Sequence, residues 1–128
     1  MDNRIKEMIN KMGHIVGTIT EFDELAKELE KLNYNKTAAL RAYLADEFDG
    51  QCIRVDDVLY AITQLSGVYF LRKVKTPSDI GRIIANFLGM DEKYQAFIDY
   101  EKLANEFGYV GRFTKDGFLW GEIKSLPF

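Results

Sequence analysis

The sequence is short of the residues on which chemistry most often depends. It holds one cysteine, Cys52, and one histidine, His14. That excludes an internal disulfide framework and leaves no CxxC or HxxxH spacing for a zinc or iron site. It has no phosphate-binding glycine loop, no GxGxxG and no GxSxG, so the cofactors and the serine nucleophile that use those loops are not expected. No apolar run approaches the roughly 18 residues of a membrane span. The opening MDNRIKEMINKMGH carries mixed charge and lacks the apolar stretch of a signal peptide. Adjacent acids do occur, at Asp46/Glu47 and Asp56/Asp57, but they flank helix ends, where carboxylates serve as caps and solvated faces. The expectation is a cytoplasmic, non-enzymatic protein that needs no metal and no cofactor.

What is present suits a packed fold. At 128 residues, 47% apolar and 29% charged, the chain can bury a core without covalent staples, as one domain or two small lobes. Residues 4–12 place Ile5, Met8, Ile9 and Met12 on one helical side before Gly13 and Gly17 interrupt. Thr20, with Asp23 three residues on, predicts a helix start, and Phe22, Leu25, Ala26, Leu29 and Leu32 follow at helical spacing. A second helix over about 36–48 turns Leu40, Tyr43, Leu44 and Phe48 inward and ends at Asp49-Gly50. Packed on the first, it would make a helical hairpin. A third starts at Asp56 or Asp57, runs through Leu65 and uses Gly67 to stop.

Val68-Tyr69-Phe70-Leu71 is β-prone and predicts a strand to about Lys75. Thr76-Pro77-Ser78-Asp79 supplies a cap, an N1 proline and an N3 acid. Ile80, Ile83, Ile84, Phe87 and Leu88 then repeat at helical spacing to Gly89. After a turn at 91–95, Asp99 is expected to cap a helix whose inward face is Tyr100, Leu103, Ala104 and Phe107. Gly108 and Gly111 release the chain into a hairpin at Asp116-Gly117, the dipeptide favoured in type I′ turns. The expected fold is α+β: a helical lobe over 1–50, then a lobe over 51–128. In the second, an antiparallel sheet (68–75, 110–114, 118–123) packs with helices at 77–88 and 99–107.

If Asp116 and Gly117 form the loop, Phe113 lies opposite Trp120 and Lys115 opposite Phe118. Phe113, Phe118 and Trp120 then share one face, while Val110, Leu119 and Ile123 share the other. Two helices of this half cover only one of them. The other face, or the edge Val68 to Leu71, would be buried by a second copy. The expected homodimer interface is Val68, Phe70, Leu119, Trp120 and Ile123. Burial of both faces within one chain is the alternative.

The net charge of −3 is unevenly laid out. Residues 21–57 hold ten acids against five bases, residues 58–71 carry no charge, and Arg72, Lys73 and Lys75 form a short basic spot. Glu21, Glu24 and Glu28 fall on one helix side, and Asp46, Glu47 and Asp49 cluster at the next helix end. Such a front is either a solvated face or an imitation of phosphates. B-DNA carries one charge per about 1.7 Å, so an excess of five imitates about two to three base pairs. On a strand, Arg72 would be separated from Lys73 and Lys75 by alternation, which favours edge protection over nucleic-acid binding.

The order of helix, VYFLRKV strand, TPSDIGRIIANFLG helix and FIDYEKLANEFGYVGRFTKDGFLW resembles the C-terminal region of the ArdA antirestriction proteins. Phe97, Ile98, Asp99, Tyr100 and Glu101 match the segment that opens the last helix in that family. TITEFDELAKELEKL is similar to its middle domain. The resemblance covers about residues 18 to 123, the middle and C-terminal domains only, and this chain is less acidic than full-length members. It implies a DNA-mimicking inhibitor from mobile elements that occupies the DNA path of type I restriction–modification enzymes and dimerises through its last domain. On that reading Glu21, Glu24, Glu28, Asp46, Glu47 and Asp49 form the partner-binding surface, and the protein binds an enzyme rather than DNA. The alternative from the residues themselves is a small nucleic-acid-binding regulator or protein-interaction module that uses Arg72, Lys73 and Lys75.

Overall fold

A computed structural model describes residues 2–123. Its elements run α1 (Asn3–Met12), β1 (Ile15–Val16), α2 (Ile19–Glu30), α3 (Tyr34–Phe48), β2 (Ile53–Arg54), α4 (Val55–Thr63), a 3-10 turn (Leu65–Gly67) and β3 (Tyr69–Leu71). They continue with α5 (Pro77–Phe87), α6 (Glu92–Gln95), α7 (Tyr100–Phe107), β4 (Gly111–Thr114) and β5 (Gly117–Trp120). The fold is α+β, with seven helices and a three-stranded antiparallel sheet of order β3-β5-β4 among the described residues. None of these helices is long and apolar enough to cross a membrane.

Side-chain caps start most of the helices. Asp2, Asn33 and Asp99 each accept from a backbone N–H three residues on. Thr76 and Asp79 exchange bonds as a capping box ahead of Pro77. The box of α2 is Thr18 with Glu21, two residues before the expected Thr20 and Asp23. Glutamate at N3 reaches back to the N-cap N–H, and Thr18–Glu21 is the pair that fulfils both halves of the motif. Gly67 does not stop α4 by a left-handed turn. The helix ends at Thr63, and Leu65–Gly67 adds one tighter turn.

Two apolar clusters fill the interior, one on each side of the sheet. The larger joins Ile5 and Ile9 of α1, Leu25 and Leu29 of α2, Leu40 and Leu44 of α3, and Val55 and Val58 of α4. Ile53, Leu65, Val68, Phe70 and Leu119 complete it, so residues beyond the expected seam at Gly50-Gln51 pack with the N-terminal helices. The smaller holds Val74, Ile80, Ile84, Ala104 and Phe118, with Leu71, Leu103, Tyr109, Phe113 and Trp120 against it. Phe118 and Leu119 are consecutive on the central strand, and alternation sends them into opposite clusters. The expected helical hairpin is absent: α2 packs mainly on α4, while α3 lies against α1 and the sheet.

The hairpin register differs from the expected one. Phe113 pairs with Phe118 and Thr114 with Gly117, which leaves Lys115 and Asp116 as the loop. Neither residue takes the positive φ that a type I′ turn requires. Thr114 Oγ1 instead accepts from the N–H groups of Asp116 and Gly117, both at 3.2 Å. Moving each partner by two residues preserves the pleat. Phe113, Phe118 and Trp120 therefore still line one face, and Leu119 and Ile123 the other. Val110 stays 63% exposed.

At the start of α7, Asp99 Oδ1 accepts from Lys102 N–H at 3.1 Å. Asp99→Ala should therefore lower stability by about 0.5–2 kcal/mol. A shift of the urea midpoint at constant slope is the expected readout, and an unchanged midpoint would show that this cap contributes nothing.

Candidate functional site

A groove of about 670 Å³ runs between α3 and the segment that leaves β3. Tyr34, Thr37, Ala38, Arg41 and Ala42 line it from the helix. Their spacing of three, four, seven and eight residues is one helical stripe, beside the stripe of Ala39, Leu40, Tyr43 and Leu44 that is buried in the core. Phe70 contributes from the sheet, Arg72, Lys73 and Lys75 from the segment after β3, and Asp116 from the hairpin loop.

Several contacts hold these walls. Asn35 lies along the outer edge of β3. Its amide nitrogen donates to Phe70 O at 2.9 Å and its carbonyl oxygen accepts from Phe70 N–H at 3.0 Å. Lys36 Nζ donates to the carbonyls of Leu65 and Val68 just before the strand. On the other wall, Val74 is buried and its N–H donates to Leu71 O at 3.2 Å. Asp79 Oδ2 accepts from the N–H groups of Lys75 at 2.9 Å and Thr76 at 3.1 Å. The bond from Lys75 N–H is the main reason that the Asp79 carboxyl sits below the usual carboxylate range, with Thr76 and Arg82 adding to it. Lys75 Nζ donates to Lys115 O at 2.8 Å, which ties this segment to the hairpin loop.

The groove gathers four cations against one carboxylate. Among the described residues, no carboxylate lies within ion-pair distance of Arg41, Arg72 or Lys73. Along a strand, alternation would separate Arg72 from Lys73 and Lys75. The strand ends at Leu71, opposite Phe118 near the start of β5, and the chain turns there. Released from alternation, all three line the same groove.

The six acids expected to form a partner surface are divided. Asp46 and Glu47 both pair with Arg112 of β4, at 3.3 and 2.8 Å. The Arg112 guanidinium also lies 5.3 Å from the ring centroid of Tyr43, whose hydroxyl is pushed up, first by burial and then by Glu47. Glu28 pairs with Lys31 at 2.9 Å. Glu21 is spent on the α2 cap, and the Thr18 backbone N–H is the main cause of its lowered pKa. Asp49 takes the left-handed C-cap of α3, at φ 39°. Glu24 is exposed on α2.

Most residues of the expected dimer interface pack within the chain. Val68, Phe70 and Leu119 are 1%, 9% and 2% exposed, and Ile123 packs against the same cluster. Trp120 belongs to the opposite cluster, 5.9 Å from Phe118. The second sheet face is covered by α3 and the N-terminal core, and the β3 edge is engaged by Asn35 and Lys36.

Tyr34, Thr37 and Arg41 are the groove residues that sequence reasoning missed. A second helical stripe on α3, small and polar beside the apolar one, was the available signal. No family model matches this chain, and no curated protein or solved structure matches it either.

Proposed function

We propose that the chain is a nucleic-acid-binding module that holds a phosphodiester backbone in the groove between α3 and β3. The observation that carries this reading is the convergence of Arg41, Arg72, Lys73 and Lys75 on one concave site, none of them with a carboxylate partner among the described residues, although Lys75 Nζ donates to Lys115 O. Cations grouped in a recess repel one another, and an anion relieves that repulsion. Field lines focused by the groove walls raise the local concentration of a polyanion. Four cations suit on the order of three to four phosphates, so log K should fall with log salt at a slope of about −2 to −4. Imitation of DNA for a restriction enzyme has less support from the same geometry. It needs free carboxylates, and Glu28, Asp46 and Glu47 are ion-paired while Glu21 caps a helix.

The test is oligonucleotide retention at about 50 mM salt, where phosphate contacts are strong. Replacing Arg72, Lys73 and Lys75 together by glutamine should weaken binding and reduce the salt slope by about two. Asp46→Asn with Glu47→Gln should leave the slope unchanged. No retention by the folded wild-type chain would overturn the reading, and protection of phage from type I restriction in cells would favour the mimic instead.

A further inference from the structure

We infer that the nucleic acid in this groove is a single strand with a base stacked on Tyr34; the inference rests on the nucleic-acid reading above. The first reason is shape. A duplex presents its phosphates on a convex surface, and proteins read it by inserting a helix or ribbon into a major groove about 12 Å wide. Here the cations sit in a recess whose 670 Å³ is the size of a ligand pocket. A single strand can lay its backbone into such a recess, while a duplex would meet only the rim.

The second reason is Tyr34 itself. Its ring lines the groove yet is 81% exposed. Among the described residues it has no aromatic neighbour and no cation over its face. Tyr69, on the neighbouring strand, differs: Lys36 Nζ lies 4.6 Å from its ring centroid. The backbone beneath Tyr34 is fixed, because Asn33 accepts from Lys36 N–H at 2.9 Å and from Thr37 N–H at 3.0 Å. Tyr34 is thus an apolar platform on a rigid helix start, beside a cationic track. That pairing of aromatic and cations is how strands are held without sequence readout, since every base has a π-face to stack.

The experiment titrates the full chain with a labelled mixed-sequence single strand of about 12 nucleotides and with the corresponding duplex. The single strand should bind at least about tenfold more tightly than the duplex. Tyr34→Ala should weaken single-strand binding about 5- to 150-fold, from the stacking contribution of one base, and leave the salt slope unchanged. Tyr34→Phe should bind within about twofold of wild type, since the π-face is kept. Arg41→Gln should also weaken binding, but by lowering the salt slope by about one. Circular dichroism checks the fold of each variant. Equal duplex affinity, or wild-type binding by folded Tyr34→Ala, would overturn the single-strand inference and leave the nucleic-acid reading standing. Loss of all binding in the wild type, or a free nucleoside monophosphate competing as well as the oligomer per phosphate, would overturn both.

Discussion

Phe118→Ala is expected to remove about 3–5 kcal/mol of stability, a large share of the 5–15 kcal/mol that holds a domain of this kind together. Phe118 is 0% exposed and is the largest fully buried side chain among the described residues. Its ring centroid lies 4.7 Å from that of Phe113, 5.7 Å from Tyr109 and 5.9 Å from Trp120, the last two edge to face. Truncation loses the transfer free energy of the ring, the three aromatic contacts and the packing around the cavity left behind. Relaxation is restricted, because the next residue, Leu119, is fixed in the opposite cluster. Urea titration should show the loss both by circular dichroism and by Trp120 emission. A loss below about 1 kcal/mol would mean that the smaller cluster collapses freely around the gap.

The parts of this fold legible in the sequence are those specified over a few residues. Thr76, Pro77 and Asp79 place the start of α5, Asp99 places that of α7, and the stripe Ile80, Ile84 marks the buried side. Caps and helical periodicity act within one turn, so a linear reading finds them. The β1–β2 pair, two residues each and parallel, has no period to detect. Hairpin register depends on a non-local contact. Locally Gly117 resembles half of an Asp-Gly turn, yet it begins β5, where a Cβ would come within 2.7 Å of Leu71 O and 2.9 Å of Arg72 Cα. Glycine there admits the third strand.

The groove was half legible for the same kind of reason. Arg72, Lys73 and Lys75 stand together in the sequence, but Arg41 is brought to them by the packing of α3 along β3, where Asn35 and Lys36 clamp the strand. The basic spot is three residues in the sequence because its fourth cation lies some thirty residues upstream, in a region dominated by acids. Arg112 misled in the opposite direction. Far from Asp46 and Glu47 in sequence, it neutralises the densest part of the acidic front. The dimer expectation counted only the helices of the C-terminal half as cover for the sheet. It is α3, from the other half, that lies on the second face.

Gly81→Ala tests the glycine at which an added Cβ would meet the nearest atom, and its expected sign is opposite to that of the local rule. In an exposed helix the change would stabilise by about 1 kcal/mol, since alanine is the better helix former. Gly81 is buried on α5 against the first turn of α7. A Cβ there would lie 2.6 Å from the carbonyl carbon and 2.8 Å from the Cα of Tyr100, and closer still to its carbonyl oxygen. Carbon atoms rest at about 3.5–4.0 Å. The blocking atoms are backbone, so no rotamer change moves them. Asp99 caps this turn through Lys102, and the Tyr100 hydroxyl is hydrogen-bonded to Gln95. The two helices must therefore separate, which loosens Ile80, Ile84 and Ala104 together. Overpacking of this kind costs about 1–3 kcal/mol and more where backbone must move. After the propensity gain, a net loss of about 2 kcal/mol is expected. Thermal unfolding should fall on the order of 5–10 °C. Because the strain falls on the turn that Asp99 caps, Gly81→Ala combined with Asp99→Ala should cost less than the sum of the two single changes. A Gly81→Ala chain that melts at or above the wild-type temperature would show that α5 and α7 adjust their spacing without penalty.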